Sequence, residues 1–244
     1  SGIMLKKFKA FAGEPAPFVM ELPAYHAPSA SNVLRSMWER GWSFIKRAGT
    51  IILLSTIILW FLSNFGFADG GFGWVEDSDA SLLAAVGSVI AVIFIPLGFG
   101  NWQAAVATIT GLIAKEEVVS TMQVFYPGDL IANIAMAFTA ASAYSFMVFN
   151  LLCAPCFAAM GAIKREMNNA KWTWAAIGYM CGFAYVASLI VYQLGGLFTG
   201  AVTFGVWTVV ALAALAAIIY LLVRKGYQGE DRSRQLSSVA AAAR

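Results

Sequence analysis

Charge is what this chain has least of. Lys, Arg, Asp and Glu make up 12% of its 244 residues, against about 25% in a soluble domain. Hydrophobic residues make up 60%, and the mean hydropathy is +0.73. That balance excludes a soluble globular domain and indicates an integral membrane protein. Histidine occurs once, at His26 in a proline-rich stretch, where it reads as a structural hydrogen-bonder. No Ser/His/Asp set, Walker-type phosphate loop or carboxylate pair on a soluble element is present, so the chain is not read as an enzyme. Cysteine occurs three times, an odd number confined to apolar stretches, which excludes a secreted disulfide framework. No signal-peptide pattern opens the chain, and the net charge of +3 carries no nucleic-acid signature.

What the chain has in abundance is uninterrupted apolar sequence. Four charge-free runs stand out: Ala48–Ala68, Ala80–Ala114, Leu130–Ile163 and Trp172–Val223. One span needs about 20 apolar residues. The last run, 52 residues long, therefore holds two spans with a turn at Gly195–Gly200, and the runs of 34 and 35 residues must contain breaks. The expectation is an all-α, polytopic membrane protein with about six apolar crossings, near 47–65, 81–97, 102–122, 130–152, 172–194 and 202–223, of which 81–97 is short enough to be re-entrant. Residues 1–46 form a cytoplasmic lead-in, proline-rich over 13–30 and then an amphipathic interfacial helix from Ser31 with Trp38 and Trp42 at headgroup level. Residues 47–225 form the transmembrane unit and 226–244 a polar tail.

Basic residues orient it. Seven precede Ala48, three lie at Lys164, Arg165 and Lys171, and five run from Arg224 to the end, whereas the 64–79 connection carries Asp69, Glu76, Asp77 and Asp79 and no base. The positive-inside rule places both ends and the 164–171 loop in the cytoplasm. Residue 1 is not Met, and Ser1–Leu5 followed by Lys6-Lys7 reads as the cytoplasmic end of an earlier span, so a longer protein is expected.

Two motifs carry chemistry. Lys115-Glu116-Glu117 are the charged residues of a helix expected inside the membrane, where each charge costs about 2.5–3.5 kcal/mol on insertion scales and so signals function. Helical periodicity puts Glu117 on a face with Thr110, Ala114 and Thr121, and Glu116 on one with Ile109, Leu112 and Ser120. The bland alternative is a Lys–Glu pair near a helix end. Cys153-Ala-Pro-Cys156 lies within the 34-residue uncharged run. Pro155 has no N–H for the Leu151 carbonyl, so a helix there must kink, and a freed carbonyl in lipid is tolerated only against protein or a polar cavity. Cysteines at i and i+3 of a helix share a face, and paired thiols suit soft and borderline metals. Asn150, one turn earlier, offers an amide oxygen. The lone Cys181 reads as a small buried hydrophobe, the scattered methionines as packing. A membrane thiol oxidoreductase using Cys153 and Cys156 as a reversible disulfide, and a gate-type organic-solute transporter, are the alternatives.

These segments resemble the ferrous-iron transporter B (FeoB) family. The resemblance rests on Gly13-Glu-Pro-Ala-Pro-Phe-Val-Met-Glu-Leu-Pro-Ala-Tyr-His26, on Gly111-Leu-Ile-Ala-Lys-Glu-Glu-Val-Val-Ser-Thr121 and on Leu152-Cys-Ala-Pro-Cys-Phe-Ala158, and it covers residues 1 to 225. It implies the membrane permeation unit of a GTP-linked ferrous-iron uptake transporter of the bacterial inner membrane, with Fe(II) as the transported ion. This chain would be the second gate unit, half of an inverted-repeat transporter. GTP and Mg would act only through an N-terminal G domain outside this chain. The other implied partners are a first gate unit, the lipid bilayer and small cytoplasmic proteins of the same uptake system, and a homo-oligomer is compatible. By motif, Cys153, Cys156, Glu116 and Glu117 are the implied metal residues, Glu116 ahead of Glu117, with Lys115, Asn150 and Pro155 supporting the path.

Overall fold

A computed structural model describes residues 2–6, 8, 29–68, 71–75, 78–126 and 128–224. The expectations for the proline-rich lead-in with His26 and for the tail beyond 226 lie outside the described residues. The chain divides into two units, residues 1–27 with 213–244 and residues 28–212. The first contains helix α1 (Gly2–Lys6); every site discussed below belongs to the second. There the architecture is helical with one small hairpin: α2 (Ala30–Asn64), β1 (Phe65–Ala68), β2 (Gly71–Trp74), α3 (Leu82–Phe94), α4 (Trp102–Ile113), α5 (Glu117–Phe125), α6 (Leu130–Ala137), α7 (Ala140–Leu152), α8 (Phe157–Met167) and α9 (Ala170–Thr199), with α10 (Val206–Val223) running on into the other unit.

Among the described residues, three helical stretches are long and apolar enough to cross a membrane: Ala140–Met167, Ala170–Thr199 and Val206–Val223. A fourth, Leu82–Leu97 with Trp102–Ile113, qualifies only as a pair bent by 98°. The expected interfacial helix and first span are one continuous α2, which has no proline to stop it. Three other boundaries differ from the sequence reading. The helix expected over 102–122 breaks after Ile113, and the one over 130–152 breaks at Phe138 (φ −125°, ψ 135°). Helix α9 runs through Gly195 and Gly196 to Thr199, and Gly200 (φ 72°) makes the turn. A glycine is required at 196 because Val202 packs where a Cβ would stand.

The bend between α3 and α4 shows how such a fold survives in hydrocarbon. Pro96 cannot donate a backbone N–H, and Gly98 (φ 85°) turns the chain against the Tyr192 ring, leaving no room for a Cβ. Asn101 restarts the helix by accepting from the Ala104 N–H at 2.7 Å. Three of the carbonyls at the bend find donors on other helices. Tyr185 Oη donates to the Ile93 carbonyl at 2.9 Å, Gln193 Nε2 to Pro96 at 2.9 Å, and Ser145 Oγ to Leu97 at 2.9 Å. Ser145 and Ser188, both fully buried, lie 2.7 Å apart and tie α7 to α9. Thr208 on α10 holds Gln193 Oε1 at 3.2 Å. Around this polar knot the apolar core is aromatic, with Phe94, Phe99, Phe146 and Phe149 in mutual ring contact at 5.1–6.0 Å.

Because Ser145 satisfies a buried carbonyl, Ser145→Ala is expected to destabilise the protein by about 1–3 kcal/mol, the usual cost of orphaning a buried polar group. Thr199→Ala, whose hydroxyl only returns to carbonyls of its own helix, should change stability by less than about 0.5 kcal/mol. Thermal unfolding in detergent compares the two.

Candidate functional site at two helix breaks

The first break carries the charged motif. Ala114 is extended (φ −150°, ψ 133°), Lys115 and Glu116 form a turn, and α5 starts at Glu117. The chain then doubles back on α4. Thr110 Oγ1 and Thr121 Oγ1 are 2.9 Å apart, whereas eleven residues of straight helix would separate them by about 16 Å. Gly111 permits the return, since a Cβ there would stand 2.6 Å from Val118 Cγ2. Lys115, Glu116 and Glu117 are therefore not three successive positions inside a membrane helix, as the sequence reading supposed. A helix is replaced by a turn, which frees the three side chains from the 100° spacing that periodicity imposes.

The second break carries the thiols. Helix α7 ends at Leu152, Cys153 caps it with its N–H on the Phe149 carbonyl (2.9 Å), and Cys156 is the N-cap of α8. Both cysteines have extended backbones, at φ −63°, ψ 173° and φ −58°, ψ 158°. Pro155 keeps a helix from running through the segment, because it has no N–H to donate and it disfavours the helical region at Ala154 before it. The expectation of two thiols on one helical face is thus corrected. Extended residues three apart have α-carbons separated by up to about 9 Å, well beyond the 5–6 Å between β-carbons of i, i+3 helical neighbours. Cys153 is buried and Cys156 half-buried; both are free thiols, as is Cys181.

The two breaks meet. Lys115 Nζ donates to the backbone carbonyl of Asn150 and reaches Cys153 Sγ at 3.2 Å. Cys153 Sγ itself lies 3.5 Å from the Asn150 carbonyl and 3.6 Å from that of Ala154. The freed carbonyl that matters belongs to Asn150 and not to Leu151, because α7 stops before Ala154, whose N–H would have been its partner. Asn150 contributes this carbonyl and not its amide: Nδ2 is spent on the Phe146 carbonyl at 3.0 Å, and Oδ1 rests near Gly111. The Lys115–Cys153 contact was not foreseen from sequence. Its signal was that Lys115 alone among the sixteen bases lies outside the flanks assigned to the cytoplasm.

The acidic residues stand elsewhere. Glu117, half-buried, lines a cavity of about 230 Å³ with Thr56, Ser63, Thr110, Ser120 and Thr121, and neither cysteine contributes to its walls. It lies beside Thr110 and Thr121, as periodicity suggested, but because the chain reverses. Glu116 is exposed in the turn. Among the described residues, no three of His, Cys, Asp and Glu gather closely enough to hold a metal ion. Cys153, Cys156, Glu116 and Glu117 are therefore not joined in one cage in this conformation.

Comparison with known proteins places this geometry in context. Residues 45–170, more than half of the chain, match the Gate family, described as nucleoside recognition, and residues 1–40 match the C terminus of ferrous iron transport protein B. The chain is 41% identical over 186 residues to the Fe(2+) transporter FeoB of Staphylococcus aureus (strain COL), an overlap of 75% of this chain and 27% of the relative. It is 37% identical over 197 residues to FeoB of Methanocaldococcus jannaschii, covering 77% and 29%. It is 29% identical over 242 residues to a Fe(2+) transport protein A/Fe(2+) transporter FeoB fusion protein of Porphyromonas gingivalis, covering 80% and 29%. The chain thus spans between a quarter and a third of the length of these relatives. No solved structure matches.

The reversal between α4 and α5 has a direct test. In a background with the three native cysteines replaced by serine, Thr110→Cys/Thr121→Cys should form a disulfide under mild oxidation in membranes, since bridged α-carbons lie about 4.4–6.8 Å apart. A continuous helix would give no intramolecular bridge on gel analysis.

Proposed function

Because the chain belongs to the Gate family, in the form found in the C-terminal membrane part of ferrous iron transporter B proteins, we propose that it is the permeation unit through which Fe(II) crosses the membrane. The observation that carries this reading is the meeting of two interrupted helices around a buried thiol and a carbonyl freed at a helix end, both already holding a positive charge. Discontinuous helices facing one another are how transporters present backbone oxygen to an ion at membrane depth. Cys153 supplies a sulfur donor at that point and Cys156, at the start of α8, supplies a second as the break rearranges. Thiolate with carbonyl oxygen suits a borderline divalent ion such as Fe(II). Glu117, half-buried in a largely apolar cavity beside Thr110 and Thr121, is the better placed of the two carboxylates to offset the ion's charge during passage, and Glu116, exposed, is the second choice.

Other features support the wider assignment. The bases flanking the apolar runs favour a cytoplasmic side for both ends, in a bacterial inner membrane. The Porphyromonas relative is named as a fusion of a transport protein A with the transporter, which favours a small cytoplasmic partner. A GTP-binding domain and a first gate unit, supplied from outside the residues of this chain, would shift the two breaks between closed and open populations. A nucleoside substrate would call for aromatic faces and amides at the breaks; sulfur, carbonyl oxygen and an ammonium favour a metal ion.

Cys153→Ser and Cys156→Ser are each expected to lower Fe(II) uptake by about tenfold or more, at least what the loss of an outer-shell partner costs a metal site. Anaerobic uptake of radioactive iron by cells carrying the intact protein measures this, and wild-type uptake in both variants would remove the cysteines from the mechanism.

A further inference from the structure

We propose that Lys115 is a tethered cation that fills the seat of the transported ion, so that entry of Fe(II) is an exchange of one positive charge for another. This rests on the reading of Cys153 as a ligand for Fe(II) and adds the device that guards it. The ammonium sits on the two donors a metal would use, the Asn150 carbonyl and Cys153 Sγ at 3.2 Å. It carries three N–H donors and no lone pair, so it cannot share those donors with a metal, and a divalent ion beside it would be repelled. Among the described residues the one ion pair is Arg35–Glu39. Lys115 is thus held by a neutral carbonyl and a thiol, without a carboxylate within 4 Å among those residues.

The contrast with the other bend explains why a lysine stands here. At the α3–α4 bend the freed carbonyls of Ile93, Pro96 and Leu97 are closed by a half-buried phenol and by a buried amide and hydroxyl, all three rooted in helices α9 and α7. Those donors have no reason to leave. At the α7–α8 break the donor is the tip of a flexible four-carbon stem, rooted in a turn and not in a helix. When it swings away, an arriving cation takes over the same oxygen and sulfur, and when that ion departs the ammonium returns. The carbonyl is therefore never left bare in hydrocarbon, the condition lipid imposes on any open backbone. The exposed Glu116 next door can receive the displaced ammonium. An empty seat would bind any soft divalent ion and hold it; an occupied one weakens binding by the fraction of time the lysine is away.

The test is anaerobic titration of the intact protein in lipid nanodiscs with Co(II), whose bonds to sulfur give a charge-transfer absorption band. If lysine fills the seat about nine-tenths of the time, Lys115→Met should bind Co(II) about tenfold more tightly than wild type. Lys115→Gln, which keeps an N–H for the Asn150 carbonyl, should do the same and serves if the methionine variant does not fold. Lys115→Arg, which keeps the charge, should stay as weak as wild type. Cys153→Ser should weaken both the binding and the band in every background. Unchanged or weaker binding by the neutral variants, with the band still dependent on Cys153, overturns the lysine proposal and leaves the iron reading standing. Undiminished binding and band in Cys153→Ser instead removes Cys153 as a ligand, and the lysine proposal falls with it.

Discussion

A backbone carbonyl released inside a bilayer must find a donor within the protein, because lipid offers none. That single requirement organises this chain. At two helix breaks another element supplies the missing hydrogen bond, and the identity of the supplier separates scaffold from site. The α3–α4 bend is closed by Tyr185, Gln193 and Ser145, neutral groups rooted in neighbouring helices. The α7–α8 break is closed by Lys115, a charged group that reaches it from a second break. The first arrangement makes a rigid knot, and the second makes an exchangeable one.

The rigid knot has a functional consequence. It fastens the bend between α3 and α4 to α7, α9 and α10 through Ser145, Ser188, Gln193 and Thr208, and α7 is one of the two helices that end at the breaks. The end of α7 is thus tied to this knot, whereas the 114–116 turn and the 153–156 segment lie outside regular helix. That division is what a gate needs: small local rearrangements on rigid supports.

Much of this was legible in the sequence, and the gaps have physical causes. Low charge and long apolar runs identified a helical membrane protein, and the excess length of two runs required breaks. Pro155 marked one break, because its missing N–H is a local property that no tertiary contact can restore. Gly111 hinted at a break that would reset the helix phase, but its place at Ala114 could not be read, since Ile113-Ala114-Lys115 contains no helix breaker; it follows from Gly111 letting α5 return against α4, a long-range packing effect. For the same reason the periodicity of Glu116 and Glu117 was computed on a helix that does not exist. The cysteine pair was found by its spacing, but the helical face assigned to it dissolved once Pro155 drew Ala154 and its neighbours into an extended course. The Lys115–Cys153 contact joins residues 38 apart in sequence, and only the fold brings them together.

The account stands on a thiol and a carbonyl forming the ion's seat at the α7–α8 break. X-ray absorption at the iron edge, on the intact protein loaded with Fe(II) without oxygen, looks at that seat directly. The account predicts a sulfur shell at about 2.3 Å, the metal–thiolate distance of comparable sites, that shrinks in Cys153→Ser and disappears in Cys153→Ser/Cys156→Ser. A first shell of oxygen and nitrogen alone, identical in the wild type and the serine variant, would contradict it.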